Sequence, residues 1–208
     1  MKHQDAQAHW DTRFAGEGYH FGTEPNVFLA SQERLLRPGM SALCVADGEG
    51  RNSVWLAKHG VRVAAFDISP VGVEKARRLA REAGVTVDYS IADINAWNWD
   101  GAQYDLVAVI FIQFLAPAER ARAFEGIARA VTPGGLLIMQ GYRPRQIEYG
   151  TGGPPNPENL YTEALLREAF GEFEILHLVE HDDVLDEGPR HRGMSALIDL
   201  VARKPAKP

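Results

Sequence analysis

Three short stretches carry residue types whose chemistry converges on one kind of ligand: Ala46-Asp47-Gly48-Glu49-Gly50-Arg51-Asn52, Asp67-Ile68-Ser69 and Ala92-Asp93-Ile94. Gly48 and Gly50 allow a backbone turn tight enough for the chain to approach a ligand closely. A helix opening directly after them offers unpaired N–H groups and a positive dipole end, which attract an anion. Asp47 and Glu49 call for the opposite charge beside that anion. Asp67 suits a bidentate contact with a ribose diol, the role of an acidic side chain in nucleoside-binding folds of this kind. Asp93 can accept from an adenine amino group while its apolar neighbours clamp the ring. Together the set asks for a nucleoside that carries an anion and a cation close together.

Each stretch alone also has a structural reading, since GxG turns are common and strand-end aspartates often only cap helices. The order in which they recur is what gives them weight. Trp97 and Trp99 read as packing residues of a loop, and Phe111 and Phe114 serve a ligand or a core equally well. Farther on, Arg143, Arg145, Glu148, Tyr149, His177 and His181 are the polar groups available to a second substrate. His177 and His181 lie four apart in a segment that reads as strand, without the helical HExxH context or a cysteine cluster, so no metal is expected there.

The elements that must position these residues alternate. Residues 43–46 form a strand that runs into the Asp47 turn, and 52–59 form a helix closed by Gly60. A second strand, 61–66, stops at Asp67. Ser69 is placed as N-cap and Pro70 as first residue of a helix running to Ala83. Strands at 85–91, 104–111 and 136–139 follow, with a helix over 118–130 between the last two. The alternation predicts a Rossmann-like, doubly wound α/β sheet whose ligands bind beyond the carboxyl ends of its strands, near the switch point where the Asp47 turn lies. Residues 142–160, rich in Gly and Pro, read as a long loop without regular structure. A helix over 162–170 and two extended segments, 173–184 and 194–202, complete seven strands with an antiparallel hairpin.

The chain has 208 residues, 45% hydrophobic and 24% charged, the composition of an ordinary globular domain. We read it as one domain, 1–208, with a covering segment at 1–36, a substrate-side loop at 142–160 and a frayed tail at 204–208. Its first residues have neither a basic lead nor an apolar core, and no apolar run approaches the ~20 residues that span a bilayer, so a cytoplasmic location is expected. The lone Cys44 excludes an internal disulfide and reads as a buried thiol. With 22 basic against 28 acidic residues the net charge is −6. No basic patch stands out, which argues against nucleic acid and for a small-molecule substrate, bound by a monomer or homodimer.

In a dehydrogenase the glycine turn would receive a pyrophosphate. Here Asp47 and Glu49 would repel it, and Ser53 replaces the third glycine of the dinucleotide fingerprint. S-adenosylmethionine (SAM) meets both demands, with a carboxylate for the helix end and ammonium and sulfonium charges for the acids. The stretches 46–53, Phe66-Asp67-Ile68-Ser69 and Ala92-Asp93-Ile94 resemble those of small bacterial class I methyltransferases related to the tellurite-resistance and thiopurine methyltransferases. The resemblance extends to Trp10-Asp11-x-Arg13-Phe14 and Tyr19-x-Phe21-Gly22-Thr23-Glu24-Pro25-Asn26. It implies that this amino-terminal segment folds over the cofactor, with Trp10, Tyr19 and Phe21 covering SAM. The chain departs from the commoner pattern, which has an acid where Cys44 stands, glycine at Ala46 and a small residue at Asp47. Asp47 then acts as a shifted carboxylate near the methionine part.

The same resemblance implies a histidine-arginine pair near an anionic acceptor, and His191-Arg192 stands at the corresponding place. We expect Tyr149 and His191 to face the acceptor, with Glu148 nearby and Arg192 attracting its charge. Thiols, metalloids and small heteroaromatic compounds are the acceptors expected, because a soft nucleophile needs little help from a base. A SAM-binding module without catalysis and an NAD(P)-dependent oxidoreductase are the rival readings.

Overall fold

The computed structural model describes residues 3–188 and 191–206. Met1-Lys2, Pro189-Arg190 and the final Lys207-Pro208 of the expected frayed tail lie outside the described residues. Seven strands follow the order β3-β2-β1-β4-β5-β7-β6. They are β1 (Ser41–Val45), β2 (Arg62–Asp67), β3 (Val87–Ile91), β4 (Tyr104–Ile110), β5 (Val131–Tyr142), β6 (Glu174–Asp186) and β7 (Arg192–Arg203). The first three pair in parallel, as do β4 and β5, while β7 runs antiparallel to both β5 and β6. This is the doubly wound, mostly parallel α/β sheet with a carboxyl-terminal antiparallel hairpin that the alternation implied.

The chain packs into two compact units, one holding residues up to Trp97 with Glu187 and Gly188, the other holding Asn98–Asp186 and the chain from His191 on. In the first, Ala42, Leu43, Cys44 and Val45 of β1 are all buried, as a parallel strand covered on both faces requires. The helices here are α1 (His3–Phe14), α2 (Val27–Ser31), α3 (Arg51–Lys58) and α4 (Pro70–Glu82). Helix α4 starts where expected: the Ser69 hydroxyl accepts from Gly72 N at 3.0 Å and Pro70 opens the first turn. Helix α1 was not anticipated, because Trp10 and Phe14 are an isolated apolar pair at helical spacing among polar residues.

In the second unit, α5 (Pro117–Ala130) buries Ala123, Phe124, Ile127 and Ala130. Gly126 on the same helix leaves room for the Trp99 ring; a Cβ there would lie 2.4 Å from Trp99 Cγ. Trp99 is thus a packing residue, as is Trp97 in the first unit, stacked on Phe66 at 4.1 Å. Two expectations are corrected here. Residues 142–160 are not wholly irregular, for they contain α6 (Gln146–Tyr149) and a 3-10 turn at Pro157–Asn159. Lys204 does not fray: its Nζ donates to the carbonyls of Ala128 and Val131, each at 2.8 Å, which anchors it to the end of α5. Helix α7 (Glu163–Ala169) is capped by Thr162, whose hydroxyl accepts from Leu165 N at 3.2 Å.

Candidate active site

The turn after β1 is left-handed at three residues, Ala46 (φ 49°), Gly48 (φ 60°) and Gly50 (φ 92°). Glycine is obligatory at Gly50 for a second reason. A Cβ there would lie 2.7 Å from Ala76 Cβ and 2.9 Å from Tyr89 Oη, so the turn is pressed onto α4 and β3. Ala46 adopts this conformation with a side chain, the kind of local strain that concentrates at functional sites. It stands where the resemblance has glycine.

Two carboxylates bracket Gly48. Asp67, at the end of β2, accepts from Gly48 N and from Ser69 N, both at 2.9 Å. Asp47 accepts from the Ser53 hydroxyl at 2.5 Å and from Ser53 N at 3.3 Å, so it also serves the first turn of α3. Burial lifts Asp47 to about 7 and Asp67 to about 6, against the hydrogen bonds from Ser53 in the first case and backbone hydrogen bonds in the second. Glu49 takes a different part. Its Oε1 meets Lys75 Nζ at 2.8 Å and its Oε2 accepts from His20 N at 2.6 Å, so its charge is matched internally.

Helix α1 lies against this turn. Phe14 is fully buried, and its ring fills the space that side chains on Gly48 and Gly72 would take, at 3.2 and 2.8 Å. Trp10 stacks on Phe14 at 5.5 Å, and Phe21 meets it edge-on at 6.3 Å. Asp11 Oδ1 accepts from the Ser69 hydroxyl at 2.5 Å, tying α1 to the cap of α4. Tyr19 leans on α4, where Lys75 and Arg78 lie over its ring at 5.9 and 5.6 Å. Beyond the turn, Arg51 Nη2 donates to Glu187 at 2.8 Å, and Asn26 bridges Glu187 and Asn52. Of the third stretch, Ala92 N donates to Asp67 O at 2.9 Å, Asp93 Oδ1 accepts from Asn95 N at 2.9 Å, and Ile94 is buried. Thus the structure gathers Trp10, Phe21, Asp47, Gly48, Gly50, Asp67, Ser69 and Ala92 about one turn. Asp11, Phe14 and Ser53, quoted in the sequence only as parts of motifs, join them, as do Lys75 and Glu187, to which no site role was given. The i, i+4 spacing of Trp10 and Phe14 was the one available sign; Glu187, from the hairpin connection, gave none.

In the second unit the residues expected near the acceptor occupy separate places. His191 is buried, its Nε2 2.7 Å from Tyr142 Oη and its ring 4.4 Å from that of Phe111. Phe111 closes β4 with φ 56°, a second strained strand end. Tyr149 Oη donates to Asp182 at 2.9 Å, in a cluster with Arg143 and Arg145, while Glu148 is exposed beside Arg145. Arg192 pairs with Asp186 at 2.8 Å on the surface. His181 meets Asp199 at 2.8 Å. Among the described residues no group of three or more His, Cys, Asp or Glu is arranged to hold a metal ion.

Residues 42–135, from β1 into β5, match the family model described as a methyltransferase domain. Over these residues the chain is similar to a methyltransferase domain. Over 101 residues it is 34% identical to a ubiquinone biosynthesis O-methyltransferase from Methylocella silvestris, a match covering 48% of this chain and 39% of that relative. The chain thus spans less than half the length of the curated relative. In fold, residues 42–135 and the elements flanking them resemble TehB from Haemophilus influenzae, with TM-score 0.71, 19% identity and coverage of 85% and 61% of the two chains. They also resemble magnesium protoporphyrin IX methyltransferase from Synechocystis, crystallised with bound SAH, with TM-score 0.72, 18% identity and coverage of 97% and 99%.

Proposed function

We propose that this protein transfers a methyl group from SAM to a small-molecule acceptor: a thiol, a metalloid or a small heteroaromatic compound. One observation carries the reading. Asp47 and Asp67 flank a strained glycine turn at the start of a helix, and the donors that hold them are neutral, so the site calls for a cation. A diphosphate at the same turn would meet the Asp47 carboxylate, which argues against an NAD(P) oxidoreductase, whereas Asp67 would suit the ribose of either nucleoside.

The residues fit SAM in kind. The first turn of α3 suits the methionine carboxylate, Asp67 the ribose diol, and Asp93 with Ile68, Ala92 and Ile94 the adenine, while Trp10, Tyr19, Phe21 and Phe14 shield the turn from water. Phe111 remains a cofactor-binding candidate. When bound, SAM supplies a methyl group on a sulfonium, displaced in line by the acceptor. The protein then mainly aligns and desolvates the partners. His191, buried and 2.7 Å from Tyr142 Oη, is kept as a residue facing the acceptor. Tyr149 is kept as a residue facing the acceptor and Arg192 as the one attracting its charge. No membrane-spanning helix is present among the described residues, and we read the protein as a cytoplasmic monomer or homodimer acting without nucleic acid.

Calorimetric titration of the folded protein with SAM tests the cofactor; lack of binding by protein with native circular dichroism removes the reading. Labelled SAM incubated with a panel of thiols, phenols and metalloid oxyanions tests the reaction. Binding without any methylated product would instead favour a non-catalytic SAM-binding module, the alternative that the altered first motif supports.

A further inference from the structure

The acids around the glycine turn differ in how their charge is met. Glu49 has Lys75 at 2.8 Å and Glu187 has Arg51 at 2.8 Å, so these two pairs are each neutral. Asp47 is held by the hydroxyl and N–H of Ser53, and Asp67 by the N–H groups of Gly48 and Ser69. Asp11, on the Ser69 hydroxyl, adds a third carboxylate whose field acts on Asp67. The groups that face Asp47 are Asp67 from β2, Arg51 and Ser53 from α3, Cys44 from β1, and Tyr89 of β3, whose Oη lies 2.8 Å from Ser53 Oγ. Arg51 is the cation of that set, and it is already engaged by Glu187. The turn is therefore left with negative charge in excess.

A methyl donor and its spent product share the same carboxylate, ammonium, sugar and base. They differ in that transfer breaks the C–S bond with its electron pair passing to sulfur, forms the bond from carbon to the acceptor, and removes the positive charge from sulfur. Only a group that senses that charge can tell the two apart. We propose that Asp47 sets the preference of this site for the sulfonium donor over the thioether product, so that product leaves as Asp47 loses the sulfonium charge, the ammonium being common to both ligands. The inference rests on the SAM reading above. It explains why a carboxylate stands where the resemblance has a small neutral residue. Burial also holds Asp47 at about 7 and Asp67 at about 6, so near neutral pH the pair keeps a proton when no cation is beside it. A sulfonium displaces that proton, and a thioether does not.

The test is calorimetry with SAM and with S-adenosylhomocysteine at about pH 5.5 and about pH 8, where linkage makes the ratio of the two affinities pH-dependent. The ammonium contribution is common to both ligands and cancels in the ratio. In the unaltered protein the preference for SAM rises about tenfold with pH, which is ~1.4 kcal/mol. In Asp47→Asn it is smaller and flat; Asp47→Ser, checked by circular dichroism, serves if the first variant does not fold. A pH-independent ratio in the unaltered protein overturns the proposal. So does a ratio that climbs equally in both variants, which would assign the effect to Asp67. Failure of either ligand to bind at any pH removes the SAM reading and this proposal with it, an outcome distinct from binding of both without pH dependence.

Discussion

At the residue scale, the turn between β1 and α3 is a compromise between stability and charge. Asp47 and Asp67 are raised from 3.8 to about 7 and about 6 by burial, so the folded, ligand-free protein holds their protons more tightly than the unfolded chain. A raised carboxyl favours folding while it stays protonated, and its cost grows as pH climbs past the unfolded value toward the folded one. Asp47→Asn keeps an acceptor for Ser53 and removes the charge. Its stability relative to the unaltered protein should therefore improve from about pH 5.5 to about pH 8 by on the order of 1–3 kcal/mol, read from thermal melts without ligand. A difference that stays constant with pH would place the value of Asp47 in its hydrogen bonds alone. Gly50→Ala should act in the other direction. Both its φ of 92° and the 2.7 Å approach to Ala76 oppose a methyl group, and a loss of ~2–4 kcal/mol in urea unfolding is expected. Asp67 and Gly50 were legible in the sequence because a strand end and a glycine turn are local features. The pairing of Glu49 with Lys75 was not, since 26 residues separate them and only folding sets them 2.8 Å apart.

At the element scale, Ser69 and Glu187 are among the residues that fasten the amino-terminal segment to the turn. Ser69 caps α4 and donates to Asp11 of α1. Ser69→Ala should cost ~1–2 kcal/mol and make the segment around α1 more susceptible to limited proteolysis; cleavage unchanged by the substitution would show that its other contacts, Phe14 among them, suffice to hold it. Glu187 is another fastening, buried and shared by Arg51, Asn26 and Val27 N. Glu187→Ala leaves the Arg51 charge buried without a partner, a loss of ~3–5 kcal/mol. Pairing Arg51→Met with Glu187→Leu should recover part of that loss in the same urea assay. Recovery of nothing would mean that the Asn26 and Val27 bonds dominate. The strands other than β5, which runs Val131–Tyr142 against an expected 136–139, and α3, α4, α5 and α7 could be read within a few residues from periodicity and caps. Helix α1 could not, because its apolar content is confined to a narrow stripe, and the single turn of α6 sits in a stretch whose glycines and prolines argue for irregularity.

At the scale of the whole molecule, SAM at a hundred times its Kd should raise folding stability by ~2.7 kcal/mol, seen as a higher Tm, and NAD at the same concentration should leave Tm unchanged. A net charge of −6 with no basic patch predicts no measurable binding of a duplex or single-stranded oligonucleotide in fluorescence anisotropy at ~0.15 M salt. By itself the sequence determined the alternation of strands and helices, the antiparallel hairpin at the end of the sheet, and the acidic glycine turn that favours a cationic nucleoside. Those follow from short-range rules, since periodicity, caps and turn residues act within a few positions. Tertiary structure alone decided which acids keep an internal cation and which do not. It set Phe14 over Gly48, brought Glu187 to Arg51, and buried His191 on Tyr142 while leaving Arg192 at the surface. Burial and long-range pairing fix those charges, and neither is written in the order of neighbouring residues.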